Sequence, residues 1–204
     1  MTYQKAWLEI IKGYEKLGPN VSNGKAYPYQ GAADKPADPH KRWPFTCGYG
    51  HLMSAHEEEV GIRVNNQQIN VMVEGLSLSL CDDLLAQDLA PRIVTVGNKL
   101  KNLSANEFGA FLDILYNCGP GALTNTPGTN HKLGKKLEAA ESMLLYRKAN
   151  GIALLGLWRR RLTDAIFYLS GELLLADDDQ STQAAINKLS TLLNKTIKMP
   201  NGLH

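Results

Sequence analysis

Phe45-Thr46-Cys47-Gly48-Tyr49-Gly50-His51 reads as a short strand that runs into a glycine-bent turn. Aromatic and β-branched residues suit a pleated, half-buried surface, and glycine within such a run marks close approach by another backbone or by a ligand. Just upstream, residues 20–45 are rich in Gly, Pro, Asp and Asn, which supply turns and short strands more readily than helix. Before them, Trp7, Leu8, Ile10, Ile11 and Tyr14 recur at near-helical spacing. They predict a first helix ending near Leu17-Gly18-Pro19, with Glu15 in its last turn.

Downstream, the pattern turns helical from about Leu80. Leu84, Leu85, Leu89 and Ile93 outline one apolar stripe in a segment running towards Leu100, which Pro91 should kink or interrupt. Ser104-Ala105-Asn106-Glu107 matches a capping box and precedes Phe108, Phe111, Leu112, Leu115 and Tyr116 on one face. Cys118-Gly119-Pro120-Gly121 should stop that helix. Further helices are expected over residues 132–149, 155–170 and 182–195, with the acidic run Ala176-Asp177-Asp178-Asp179-Gln180 as the loop before the last. The expectation is an α+β chain, with a small β-containing lobe over about 15–75 and a larger helical lobe.

The chain has 204 residues, enough for one large domain or two small lobes around a shared core. With 44% hydrophobic and 21% charged residues it is not a disordered chain. A net charge of +2 is too small to mark a nucleic-acid partner. Cys47, Cys81 and Cys118 lack CxxC spacing, which argues against zinc and against a disulfide framework; their odd number leaves a thiol unpaired and fits folding in a reducing cytosol. Residues 1–13 mix apolar positions with Lys5, Glu9 and Lys12, unlike a signal peptide or membrane anchor. The expectation is synthesis in the cytoplasm without a signal peptide, and no membrane insertion.

Ile10-Ile11-Lys12-Gly13-Tyr14-Glu15, Ala26-Tyr27-Pro28-Tyr29 and Thr46-Cys47-Gly48-Tyr49-Gly50-His51, taken in order, resemble the opening of phage-type lysozymes, glycoside hydrolase family 24. That opening has a helix-borne Glu, an "AY-x-D" segment and a "T-x-G-Y-G-H" turn. Leu103-Ser104-Ala105-Asn106-Glu107-Phe108 and Tyr116-Asn117-Cys118-Gly119-Pro120-Gly121-Ala122-Leu123 look like the family's "LT-x-x-x-F…N-x-G-x-GAL" helix. Gly156-Leu157-Trp158-Arg159-Arg160-Arg161 is similar to its "GL-x-RRR" signature. The matches run in family order from about residue 7 to residue 171. The stretch after Gly171 has no counterpart, so residues 1–171 are expected to form the lysozyme domain and 172–204 a helical extension packed on it.

The resemblance implies a lysozyme-like two-lobed fold that binds glycan between its lobes. It implies a muramidase, which hydrolyses the β-1,4 bond from N-acetylmuramic acid to N-acetylglucosamine and so lyses bacteria, with no cofactor and no metal. The partner is bacterial peptidoglycan, met in the periplasm or cell wall. The chain would serve as a phage endolysin, released by a holin or other machinery, or as a secreted antibacterial effector, in which case an immunity protein could plug its cleft. Glu15 falls on the general-acid position; partial burial at a helix end would raise its pKa and keep it protonated. Thr46 falls on the threonine beside the attacking water. Tyr49 and Asn117 are glycan contacts in this reading, although Asn117 equally suits helix capping.

The chain departs from the family where a second carboxylate is expected, because Tyr29 stands there. An insertion-like stretch, residues 30–44, carries Asp34 and Asp38 instead. Asp34 is the first choice for the group that positions water and Asp38 the second; a third option leaves the task to Thr46 alone. The segment from Glu15 to Tyr27 is also longer than usual. Two other functions stay open, a wall-binding module without turnover and a lytic transglycosylase. His51 is taken as a turn-stabilising residue, since one histidine makes no metal site. Arg159-Arg160-Arg161 reads as a solvated helix face or as a run with one member buried against a carboxylate. Cys47 and Cys118 are expected as packed thiols.

Overall fold

The computed structural model describes residues 3–31, 35–36, 38–149 and 151–203. The chain divides into two compact units, one of residues 15–91 and one of residues 1–14 with 92–204.

The smaller unit is built from short antiparallel pieces. Strands β1 (Val21–Ser22), β2 (Lys25–Ala26) and β7 (Leu76–Ser77) form one sheet in the order β1-β2-β7. Strands β3 (Thr46–Cys47) and β4 (His51–Leu52) form a hairpin, closed where Gly48 and Gly50 take φ of 56° and 86°. The expected strand and glycine-bent turn are therefore present, as the first arm and the bend of this hairpin. A second hairpin joins β5 (Ile62–Val64) to β6 (Gln67–Ile69) through Asn65 and Asn66, both left-handed. Asparagine tolerates that region, and two such residues give the turn whose twist matches paired strands. Helices α2 (Ala55–Val60) and α3 (Val71–Glu74) flank this hairpin in sequence. Ala26, Cys47, Met53, Ile62, Val64, Leu76, Cys81 and Leu84 make the unit's core.

Helix α4 (Leu78–Lys99) runs on through Pro91, so of the two outcomes expected there the interruption does not occur. A proline removes one backbone donor, but the apolar stripe continues beyond it and keeps the helix packed. The stripe is not the expected one at its far end, because Ile93 is exposed and Val96 is buried in its place.

In the larger unit, α1 (Tyr3–Glu15) buries Ala6, Trp7, Ile10 and Ile11. Its end comes two residues before the expected one, since Lys16 already has a left-handed φ of 52°. Helix α5 (Ala105–Cys118) carries the expected capping box: Ser104 accepts from the Glu107 N–H, and Glu107 returns to the Ser104 N–H. The Gly119 N–H closes the other end on the Leu115 carbonyl. A 3-10 turn (Pro120–Leu123) follows. One helix was expected over 132–149, but α6 (Thr126–Lys132) and α7 (Lys136–Met143) take its place, split by Gly134 at φ 72°. After them a hairpin of β8 (Lys148–Ala149) and β9 (Ile152–Ala153) turns at Gly151, also left-handed.

Helix α8 (Leu155–Ser170) spans the expected residues and is buried from Arg160 to Tyr168, packed by α5, α7 and α9. Helix α9 (Asp179–Leu193) starts three residues ahead of expectation because Asp178 and Ser181 form a capping box, and it lays Ala185, Ile186, Leu189 and Leu193 inward. Among the described residues no helix is long and apolar enough to cross a membrane.

Candidate active site

Glu15 is the last residue of α1 and half-buried. The chain then bends sharply, through the left-handed Lys16 and through Gly18 at φ 73°. Glycine is required at the second bend, because a Cβ there would lie 2.1 Å from Cε1 of Tyr29. Between the bends, Leu17 packs on the core of the smaller unit. Tyr29 thus lies with its ring over the turn that leaves Glu15, and its backbone pairs with Thr46. The Tyr29 N–H donates to the Thr46 carbonyl at 2.9 Å, and the Thr46 N–H donates back at 2.8 Å. Thr46 is buried, and Tyr49, at the bend of the hairpin, packs half-buried on the same core. One physical chain therefore leads from Glu15 through Gly18 and Tyr29 to Thr46. The aromatic ring occupies the place that the resemblance gives to a carboxylate.

Of the two acids offered in its stead, Asp34 lies outside the described residues. Asp38 is exposed and closes a turn of its own: its Oδ1 accepts from the His40 N–H at 2.9 Å and its carbonyl from the Lys41 N–H at 3.1 Å. The segment that carries both is tied at its base, since Gln30 donates to the Trp43 carbonyl at 2.8 Å and the Trp43 indole to the Gly31 carbonyl at 3.0 Å. Arg42 pairs with Glu58, whose carboxylate also accepts from the Phe45 N–H at 2.9 Å. This fixes the entry to β3. Trp43, Arg42 and Glu58 carry no motif, so only their placement reveals the role.

His51 faces carboxylates on both sides. Nδ1 lies 3.0 Å from each oxygen of Asp88, and Nε2 lies 3.2 Å from Oε1 of Glu57. Two acceptors are satisfied together only when both ring nitrogens carry protons. Burial works against that charge, but Asp88 and Glu57 outweigh it and raise the pKa of His51 above 6.5. Burial likewise opposes ionisation of Glu57, yet the Ser54 N–H and hydroxyl and then His51 hold its pKa below the usual value. His51 therefore pins β4 to α2 and α4. Among the described residues no group of His, Cys, Asp and Glu is arranged to hold a metal ion.

In the larger unit, Asn117 is half-buried in the last turn of α5, and its Oδ1 accepts from the Cys118 thiol at 3.3 Å. Cys47 is buried as expected, whereas Cys118 is exposed, a correction to the packed thiol. At the helix end its Sγ instead accepts from Nη1 of Arg161 at 3.5 Å. The arginine run splits three ways. Arg159 pairs with the exposed Asp179. Arg160 makes a bidentate pair with Asp113, at 2.9 and 2.8 Å. Arg161 bridges Asp113 at 3.0 Å and Asp164 at 3.0 Å. All four members of that network are buried. Burial alone would raise the pKa of Asp113, but Arg160 and Arg161 overcome it and hold it low. Asp164 is pushed well up, by burial first and then by the charge of Asp113. Two arginines are internal where one was expected.

Solved structures with this fold include two phage endolysins and a muramidase domain. The endolysin from Escherichia coli O157:H7 phage FAHEc1 superposes with a TM-score of 0.60 at 24% identity, covering 84% of this chain and 96% of that one. The muramidase domain of SpmX from Asticaccaulis excentricus gives 0.60 at 23%, covering 83% and 98%. The active form of the P1 phage endolysin Lyz gives 0.56 at 18%, covering 82% and 84%. The fold is thus the α+β, lysozyme-like one in two units. The phage lysozyme family model matches residues 28–164, and the chain belongs to that family. An endolysin of Bacillus phage B103 is 27% identical over 174 residues, 84% of this chain. The chain spans 56% of that relative's length. Tyr29, Thr46, Tyr49 and Asn117 fall within the family match, while Glu15 stands before it.

Proposed function

We propose that the chain is a peptidoglycan hydrolase, a muramidase that cleaves the β-1,4 bond between N-acetylmuramic acid and N-acetylglucosamine. The observation that carries this reading is the link from Glu15, at a bent helix end, through Tyr29 to the buried Thr46, in a chain of the phage lysozyme family. Glu15 protonates the leaving oxygen, and the Thr46 hydroxyl orients the water that meets the sugar cation. Tyr49 and Asn117 contact the glycan. Asp34 is the carboxylate that positions that water, because the Asp38 carboxylate already serves its own turn and Tyr29 carries no carboxylate.

The substrate is the bacterial cell wall, reached from the cytoplasm as a phage endolysin or as a delivered effector with its own immunity protein. Residues 1–171 form the hydrolase domain, with 172–204 as an extension of it. The tyrosine at position 29 also favours a second reading. In a lytic transglycosylase a hydroxyl of the sugar itself attacks, and no carboxylate is needed to handle water. Mass spectrometry of products from purified peptidoglycan separates the two. A hydrolase releases reducing ends; a transglycosylase releases anhydro-sugars lighter by one water. Sedimentation with the wall and no released product at all would leave only a binding module.

A further inference from the structure

Tyr14, one residue before Glu15, is held by a relay of hydrogen bonds that the family match does not include at either end. Its hydroxyl lies 2.7 Å from Oγ1 of Thr163, and the Thr163 hydroxyl donates to the Leu174 carbonyl at 2.8 Å. The phenol also lies within donating reach of the Arg159 carbonyl at 3.1 Å and the Ala176 carbonyl at 3.3 Å, so its oxygen is held from several sides. The Ala176 N–H then closes the relay, reaching Tyr14 at 3.2 Å and Thr163 at 3.1 Å. Thr163 and Ala176 are fully buried. Two packing contacts reinforce the arrangement. A Cβ on Gly13 would meet Leu175 at 3.1 Å, so residues 174–176 lie directly on the end of α1. The Arg160 guanidinium, fixed by Asp113, stands 5.6 Å from the centre of the Tyr14 ring. Burial pushes the phenol's pKa well up, which keeps the donated proton in place.

The last turn of a helix is where its carbonyls lose their partners and its backbone frays. Glu15 sits at that place, followed at once by the left-handed Lys16. We propose that Tyr14 and Thr163 are positioning residues for Glu15, and that residues 174–176 belong to the catalytic device by locking the end of α1. The relay leaves the affinity for glycan alone, because its members hold the acid's backbone and not the sugar. It acts on turnover, where small displacements of a reacting group are felt.

This inference rests on Glu15 being the acid, so the experiment carries Glu15→Gln as a control. Turnover and KM are measured on soluble glycan-strand fragments for Tyr14→Phe, Thr163→Val and Thr163→Ser in the full chain, with thermal midpoints beside them. Tyr14→Phe and Thr163→Val should each lower kcat by about tenfold with KM little changed, in line with the sensitivity of catalysis to placement. Thr163→Ser, which keeps the hydroxyl, should hold wild-type turnover, and the double variant Tyr14→Phe with Thr163→Val should be no worse than either single one. Wild-type kcat in folded Tyr14→Phe and Thr163→Val, beside an inert Glu15→Gln, overturns the relay alone. An equal loss in Thr163→Ser also overturns it. An active Glu15→Gln overturns the reading beneath it. Should Tyr14→Phe fail to fold, the Val and Ser pair at Thr163 decides.

Discussion

Three consecutive arginines on α8 differ in what surrounds them, and the surroundings decide what each contributes. Arg161 has its charge inside the protein between Asp113 and Asp164, so removing it takes one of two buried cations from Asp113 and the only paired one from Asp164 among the described residues. Arg161→Met should destabilise the fold by about 3–5 kcal/mol, the usual consequence of breaking a buried pair, as read from urea unfolding. Asp179, the partner of Arg159, is almost wholly in solvent. Asp179→Ala should therefore change stability by no more than about 1 kcal/mol. His51 adds a dependence on pH. Its pKa is raised on folding, so its contribution is complete below the unfolded value of 6.5 and fades as pH climbs through the folded one. The stability gap between the wild type and His51→Gln should narrow as pH rises above 6.5. A gap that widens would mean that the ring is neutral in its clasp.

At the level of elements, α5 shows how a local rule yields to packing. Gly109 sits inside this helix, where alanine is ordinarily better by about 1 kcal/mol. Here a Cβ would lie 2.7 Å from Cβ of Trp7 and 2.9 Å from Cε1 of Phe167. The first of these atoms is fixed to the backbone of α1, so crowding of about 1–3 kcal/mol should win, and Gly109→Ala should lower the thermal midpoint. Ser104→Ala, which removes the cap of the same helix, should destabilise by about 1 kcal/mol. Both ends of α5 and the whole of α8 were legible in the sequence, because caps, stop residues and helical period are local signals. The pair α6 and α7 was not, since the helix-forming residues around Gly134 hid a left-handed turn. Pro91 does not end α4, as burial of Val96 and Leu100 beyond it carries the helix onward. The site divides along the same line. The placement of Glu15 at the end of a helix and of Thr46 on a strand was readable from their segments, whereas the ring of Tyr29 over Gly18, the grip of Asp88 on His51 and the relay from Tyr14 to Ala176 join residues far apart in the chain.

Across the whole molecule, the two units share the work unevenly. The smaller one holds Thr46 on a hairpin that is clasped by His51 and by the Arg42–Glu58 pair. The larger one holds α1 against α8 and the C-terminal segment through Tyr14. The division into units falls between Tyr14 and Glu15, so the proposed acid follows directly on the residue that the relay holds. If Tyr14 positions the acid as proposed, residues 174–176 serve turnover by holding the end of α1. The most direct test is the loss of turbidity of purified peptidoglycan under Glu15→Gln, with unfolding followed in parallel. The account predicts a rate lower by about 10²–10⁴-fold at an unchanged thermal midpoint, the range that a general acid supplies. Lysis at the wild-type rate by that folded variant would contradict it.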